Sequence, residues 1–247
     1  MAFGKNPKNF SKGRKGAKKK VYIYLLIIRG DRFLKKEWWE VKAPAIFENR
    51  YFTKTPVNVT AGKKLSSEAL KGRVFEVNLG DLNSSKNSYK KIKLVVDDAS
   101  ELATRECLTN FYGLDTTRDH LCSLIRKWHT LIEQYVDAKT SDGFLMRFFC
   151  IAFTRKHKNQ LKATTYAKRS QMRMIRRKMS DIISKEVCRL TLKELTGKLI
   201  NETISSEIEK QCKPIYPIQN CIIRKVKSIK RPRVDSKIIL KPSHSIT

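Results

Sequence analysis

Alternation of apolar and polar positions dominates the first two thirds of the chain, and a helical period takes over in the last third. Val21–Ile28 is an unbroken apolar run that predicts a buried or edge strand. Trp38, Trp39, Val41 and Ala43, leading to Pro44, predict another. Phe75 and Val77 continue an alternation begun at Arg73, and Ile92, Leu94, Val95 and Val96 make a further strand. Gly62, Gly72, Gly80 and the Asn83-Ser84-Ser85 cluster punctuate these runs as turns.

Asp115-Thr116-Thr117 then offers a helix start, with Thr116 and Asp119 approximating a capping box. Leu121, Leu124, Ile125, Trp128, Leu131, Ile132 and Tyr135 recur at helical spacing. They predict one long amphipathic helix, with Arg118, Arg126 and Lys127 outward. Ser141-Asp142-Gly143 predicts a hairpin between Val136–Thr140 and Phe144–Thr154. Arg147 is the one charge on its second strand, either reaching out of the sheet or pairing inside it.

From Thr164 the period is helical. Met172, Ile175, Met179, Ile182, Ile183 and Val187 form one stripe of a helix. Thr191 and Glu194 form a capping box for a helix carrying Leu192, Leu195 and Leu199. Ile204–Cys212 predicts one more, stopped before Pro214 and Pro217. Ile222, Ile223, Val226 and Ile229 alternate imperfectly with Arg224, Lys225, Lys227 and Lys230 as a final basic strand. The fold class is α+β. Its divisions are a tail over 1–20, a β-rich core over 21–155, a basic helical segment with the final strand over 156–232, and a C-terminal tail over 233–247.

Charge changes this picture more than any motif does. The chain carries 53 Lys and Arg against 23 Asp and Glu, a formal net of +30 on 247 residues. Such an excess repels itself in a compact state, so a permanent polyanionic partner is the economical explanation. The cations lie in three blocks. Met1–Lys20 holds eight of them and no acid, with almost no aliphatic residue, and is expected to be disordered alone. Arg155–Lys178 holds Arg155, Lys156, Lys158, Lys162, Lys168, Arg169, Arg173, Arg176, Arg177 and Lys178. Arg224–Arg233 is the third. Cations near phosphates release condensed counterions, and Arg adds bidentate geometry and stacking. Basic tails that order on binding suit RNA, and no helix-turn-helix, zinc finger or basic zipper favours DNA.

Signals for catalysis are missing. There is no H-E-x-x-H, G-x-x-x-x-G-K-[ST] or G-x-G-x-x-G, and no nucleophile pattern around a Ser or Cys. His120 and His129 read as surface or boundary positions of the predicted helix. Asp97-Asp98 and the Glu37/Glu40 pair read as surface charges. Cys107, Cys122, Cys150, Cys188, Cys212 and Cys221 lack metal-ligand spacing and read as free, buried, small hydrophobes in a reducing compartment. No enzyme activity, cofactor or metal is expected. The run of eight apolar residues is too short to span a bilayer, which takes about 20, and no membrane partner is expected.

Several long segments together resemble one family. They are GKNPKNFSKGRKGAKKK (Gly4–Lys20), KKEWWEVKAPAIF (Lys35–Phe47) and LKGRVFEVNLGDL (Leu70–Leu82). CLTNFYGLDTTRDHLCSLIRKWHTLIE (Cys107–Glu133) continues into VDAKTSDGFLMRFFCIAFT (Val136–Thr154). YAKRSQMRMIRRKMSDI (Tyr166–Ile182) and IEKQCKPIYPIQNCIIRKVKSIKRP (Ile208–Pro232) complete the set. In this order they are similar to the S-three-a (eS-one) family of small-subunit ribosomal proteins of eukaryotes and archaea.

The resemblance implies a structural constituent of the cytosolic small ribosomal subunit that is assembled in the nucleolus and supports translation. It implies a place on the platform, near the 3′ end of the small-subunit rRNA and the mRNA exit. The partners implied are small-subunit rRNA, neighbouring platform proteins, mRNA and initiation factors. The fold implied is an antiparallel β-barrel-like core with flanking helices. Carried over by position, the rRNA contacts would be Lys12, Arg14, Lys15, Lys18, Lys19 and Lys20 in the tail. Lys71 and Arg73 follow, then Arg173, Arg176, Arg177 and Lys178 on the helix, then Arg224, Lys225 and Lys227. Three other readings stand beside it: a free RNA-binding regulator, a nucleic-acid-modifying enzyme, and a membrane-surface protein resting on Val21–Ile28 and the basic tail.

Two segments depart from the family pattern. Asp31-Arg32-Phe33 stands where the family has Asp-Pro-Phe, preceded by roughly ten extra residues, Val21–Gly30. The end, DSKIILKPSHSIT, replaces a more polar tail. The extra segment reads as an insertion or as a translated intron, the second being preferred for its apolar character at a basic junction. Mass spectrometry of the native protein is expected to find no tryptic peptide spanning Lys20 to Arg29; detecting one overturns that preference.

Overall fold

A computed structural model describes residues 32–63, 65–83, 87–100 and 105–232. Val21–Ile28, the predicted turn at Ser84-Ser85, and both tails lie outside them.

Eight strands form one sheet. They are β1 (Lys36–Lys42), β2 (Tyr51–Asn58), β3 (Val74–Asn78), β4 (Lys90–Ser100), β5 (Glu106–Thr116), β6 (Leu131–Lys139), β7 (Leu145–Thr154) and β8 (Ile218–Lys230). Along the main path the order is β2-β1-β5-β8-β7-β6, and β3 and β4 branch off through β5. β5 is therefore the shared spine. One of its edges pairs antiparallel with β4 from Glu106 to Thr116. Its other edge takes β1, in parallel, at Glu106–Leu108, and β8 at Gly113–Asp115.

The expected barrel is not formed. The sheet stays open, ending at β2 and β6 on the main path and at β3 on the branch. Helices cover one face in place of closure. Val136, Phe148, Val226, Leu114 and Ile92 pair successively across β6, β7, β8, β5 and β4, and all lie in the main core.

Three helices complete that core: α4 (Arg169–Arg189), α5 (Leu192–Ile200) and α6 (Thr203–Cys212). Ile175, Met179, Ile182, Ile183 and Val187 bury one stripe of α4, as the spacing predicted, with Met172 partly buried beside them. Thr191 and Glu194 make the predicted capping box at the start of α5. At the other end of α5, the buried Lys90 Nζ donates to Leu199 O and Ile200 O, each at 3.1 Å, and lies 2.8 Å from Glu202 Oε1. A cation thus satisfies helix-end carbonyls that have no helical partner.

Three shorter helices sit elsewhere: α1 (Ser66–Leu70), α2 (Leu79–Leu82) and α3 (Arg118–Leu124). Gly80, expected in a turn, lies in α2. Leu70 joins Trp39, Val57, Val96 and Cys107 in a second small core.

The long helix predicted after Asp115 is corrected. Helix α3 ends at Leu124, Trp128 takes a positive φ of 71°, and Leu131, Ile132 and Tyr135 belong to β6. The N-cap is Thr117, without a side-chain capping bond. Pairing with β7 decides the outcome: Ile132, Val136 and Ala138 are buried and alternate with Leu131, Glu133, Tyr135, Asp137 and Lys139. A helix would forfeit that ladder. Leu121 and Leu124 still find cover, against Ile151, Phe153 and Ile222.

The hairpin at Ser141-Asp142-Gly143 is as predicted, with Gly143 at φ 88°. Its turn does more than reverse the chain. Asp142 Oδ2 accepts from Leu192 N at 2.7 Å, and Ser141 donates to Leu190 O, so the turn holds the start of α5. β2 and β5 had no individual forecast in the sequence.

Gly113 is where β5 and β8 meet most closely. A Cβ there would lie 2.6 Å from Val226 O, a backbone atom with little freedom to move. Gly113→Ala is expected to destabilise the protein by about 1–3 kcal/mol through this overpacking; denaturant unfolding of the refolded chain measures it, and an unchanged midpoint would show the strands part freely.

Candidate nucleic-acid interface

The expected contacts divide among separate surfaces. Lys12, Arg14, Lys15, Lys18, Lys19 and Lys20 lie outside the described residues. Lys71 is exposed just beyond α1, 3.5 Å from Asp98 Oδ1. Arg73 is half-buried; its guanidinium donates to Thr55 Oγ1 and to Pro56 O at 3.1 Å, tying β2 to the turn before β3. Arg173, Arg177 and Lys178 are exposed along α4, whereas Arg176 donates through Nε to Glu133 O at 3.2 Å. Arg173 and Arg177 are one helical turn apart and have no ion pair among the described residues.

The segment between β7 and α4 adds a wide basic groove. Arg155, Lys156, His157, Lys158, Asn159, Lys213 and Pro217 line a space of about 610 Å³ with no acid in its walls. Arg155 N donates to Pro217 O at 2.8 Å and joins the two walls. The second basic block therefore supplies a groove and a helix face.

Arg224, Lys225 and Lys227 sit on the sheet face turned away from α4, α5 and α6. Two rows of paired residues cross that face. One runs Tyr135, Phe149, Lys225, Asp115, Lys91; the next runs Asp137, Arg147, Lys227, Gly113, Lys93, Glu76. Directly paired residues share a face, and every side chain in these two rows is polar, charged or aromatic. Arg224 occupies a bulge between Phe149 and Cys150 pairings, with Nη1 3.7 Å from Glu133 Oε1. Lys225 Nζ is 3.0 Å from Asp115 Oδ2. Arg224 and Lys227 lie over the Phe149 ring at 5.9 and 5.7 Å.

Arg147 points out of the sheet and pairs with Asp137 through two hydrogen bonds of 2.6 and 2.7 Å. This bidentate contact holds the Asp137 carboxyl below the usual carboxylate range and raises Arg147 in turn. Its guanidinium also lies 5.4 Å over the Tyr135 ring. Sequence reasoning missed Tyr135, Phe149, Lys91 and Lys93 as members of this surface. The signal was present as residues two apart, Lys91/Lys93, Arg147/Phe149 and Lys225/Lys227, once their strands are known to show one face to the core.

Several groups that could do chemistry are engaged within the fold. His120 stacks on Tyr89 with ring centroids 4.1 Å apart, and His129 donates from Nδ1 to Thr154 O at 2.6 Å. Asp98 and Asp97 pair with Lys71 and Arg231, and Glu40 and Glu37 with Lys54 and Arg105. Among the described residues no group of three or more His, Cys, Asp or Glu is placed to hold a metal ion, and no described helix is long and apolar enough to cross a membrane.

The cysteines are free, but two are not buried: Cys122 and Cys188 are exposed, on outer sides of α3 and α4. Burial pushes the Cys107 and Cys212 thiols up to about 11. Cys221 is raised by its contact with Cys150, 3.7 Å away, and by burial.

The described residues make an α+β protein that displays a broad basic surface on an open sheet and a long helix. The chain belongs to the Ribosomal S3Ae family, whose model matches residues 28–232. It is 54% identical over 236 residues to the small ribosomal subunit protein eS1 of Plasmodium falciparum (isolate 3D7), covering 95% of this chain and 86% of that protein. The protein of the same name from Plasmodium vivax is 53% identical over the same span, and that of Brugia malayi 50% over 235 residues.

Thiol chemistry checks the burial pattern. Two of the six cysteines, Cys122 and Cys188, are expected to react with a thiol-specific chromogenic reagent in the native protein, the other four only in denaturant. Rapid native reaction of more than two would contradict it.

Proposed function

We propose that this protein is a structural constituent of the small ribosomal subunit, without catalytic activity, that holds small-subunit rRNA through its separate basic surfaces. The observation that carries this is membership of the Ribosomal S3Ae family across residues 28–232, with relatives named as small-subunit proteins at 50–54% identity. The physical reading agrees: cations are displayed on extended surfaces, and many of the carboxylates are engaged in pairs and caps.

In this reading the tail residues Lys12, Arg14, Lys15, Lys18, Lys19 and Lys20 join Lys71, Arg173, Arg177 and Lys178 on rRNA phosphates. Arg224, Lys225 and Lys227 do so from the open sheet face. Arg73 and Arg176 contribute in a different way, since both already hold backbone or hydroxyl groups inside the fold. The groove at Arg155–Asn159 suits a phosphate backbone by its size and lack of acids.

The site of action is the platform, near the mRNA exit, with mRNA and initiation factors passing close by. Ile125, Trp128 and Leu161 are exposed large apolar side chains in the loops after α3 and after β7. The bridge between His129 and Thr165 draws those loops together. Such a patch suits burial by a neighbouring platform protein. The protein works in the cytoplasm after assembly in the nucleolus.

Sucrose-gradient sedimentation tests the proposal. The full chain is expected with the small subunit, copy for copy with its other proteins, at low salt and intact magnesium. Arg173→Glu with Arg177→Glu is expected to cut incorporation about tenfold in competition with wild type, the loss growing with salt. A chain that stays at the top of the gradient overturns the reading and favours a free RNA-binding regulator.

A further inference from the structure

The centre of the open sheet face holds a notch that none of the basic blocks explains. Gly113 has no side chain to fill its place in the row between Lys227 and Lys93. The gap opens into a cavity of about 200 Å³ whose walls include Lys93, Tyr112, Asp115, Lys225 and Lys227. Tyr112 reaches it because β5 bulges there: Lys93 pairs with Gly113 but Leu94 with Phe111, which leaves Tyr112 unpaired. Arg231 lies over the Tyr112 ring at 5.0 Å and is itself held by Asp97 at 3.0 Å, so the ring is fixed at the cavity wall.

We propose that this notch is a pocket for one unstacked base of single-stranded RNA, set against Tyr112, with its phosphate held by Lys227. This deepens the rRNA-binding reading and rests on it.

Four features carry the assignment. Position 113 must stay without a side chain, since a Cβ there would lie 2.6 Å from Val226 O. One wall is an aromatic ring, the group on which unpaired bases stack. The rim carries three lysines against one carboxylate, which suits an anionic ligand with a planar, partly polar head. Lys227 is the free cation of the three: Lys225 is paired with Asp115 and Lys93 approaches Glu76 at 3.9 Å, whereas Lys227 has no ion pair among the described residues. Asp115, fixed by Lys225 and by Thr116 N at 3.0 Å, offers an acceptor to base amino groups. A duplex would keep its bases stacked and away from such a notch, so the ligand is a single strand.

The test measures binding of the full chain, at salt high enough to suppress bulk charge attraction, to three probes. These are a single-stranded oligoribonucleotide, the same strand with abasic sites, and its blunt duplex. Wild type is expected to prefer the base-bearing single strand to the abasic one about tenfold. Tyr112→Ala should remove that preference and leave abasic binding unchanged, while Tyr112→Phe retains it. Lys227→Gln should weaken both single strands and lower the salt slope by about 0.7 for the lost phosphate contact. Equal wild-type binding of base-bearing and abasic strands, or equal loss of both in Tyr112→Ala, overturns the pocket and leaves rRNA binding standing. Failure to bind any of the three probes at low salt as well overturns both.

Discussion

Three residue pairs join the two halves of the sheet: Gly113 with Lys227, Leu114 with Val226, and Asp115 with Lys225. The other ladder of β8 is with β7, and the only other ladder on that edge of β5 is with β1, at Glu106–Leu108. The junction is short, and it works because its middle pair is buried while Gly113 lets the backbones approach. Leu114 and Val226 then sit in the same core as Ile175, Leu195 and Ile208, so the helical layer spans the seam. Burial across the seam, at roughly 25 cal/mol per Å² of apolar surface, supplies what three pairs of ladder bonds could not.

That arrangement decides what the opposite face can be. With α4, α5 and α6 on one side and only α3 covering part of the other, at Ile151, Phe153 and Ile222, the exposed outward rows cannot be apolar without inviting association. They carry cations instead, and most are moored. Arg147 is held by Asp137, Lys225 by Asp115, Arg224 by Glu133, Lys91 by Glu76. Exposed pairs of this kind add little stability, typically about 0–1 kcal/mol. Their effect is positional: they fix where positive charge stands, which lowers the ordering cost when a polyanion arrives.

Much of this was legible in the residues. The Asp142-Gly143 turn, the stripe from Ile175 to Val187, the Thr191–Glu194 capping box and the final basic strand all declare themselves locally. What failed were features set by distant partners. Leu131, Ile132 and Tyr135 extend a helical period while Ile132, Val136 and Ala138 fit a strand period, and only the ladder with β7 chooses between them. An open sheet and a barrel share the same alternation; closure depends on whether the end strands meet. The surface row from Tyr135 to Lys91 gathers residues from four further strands, and no linear pattern announces it. Arg73 and Arg176 show the converse, since a basic residue in a basic block can still be committed to the fold.

The net charge of +30 takes a sharper form in this structure. The acids of the described region are largely committed: Glu76, Asp115, Asp137 and Glu133 hold cations of the sheet face, Glu186 holds Lys198, and Glu202 holds Lys90. Among the described residues, Arg173 and Arg177 on α4, Arg155, Lys156, Lys158 and Lys213 of the acid-free groove, and Lys227 beside the Gly113 notch are among the cations left without an ion pair. Self-repulsion in the compact state falls on such unpaired cations. The same cations would gain from a bound phosphate backbone, so the cost of folding alone and the gain on binding RNA arise from one set of side chains.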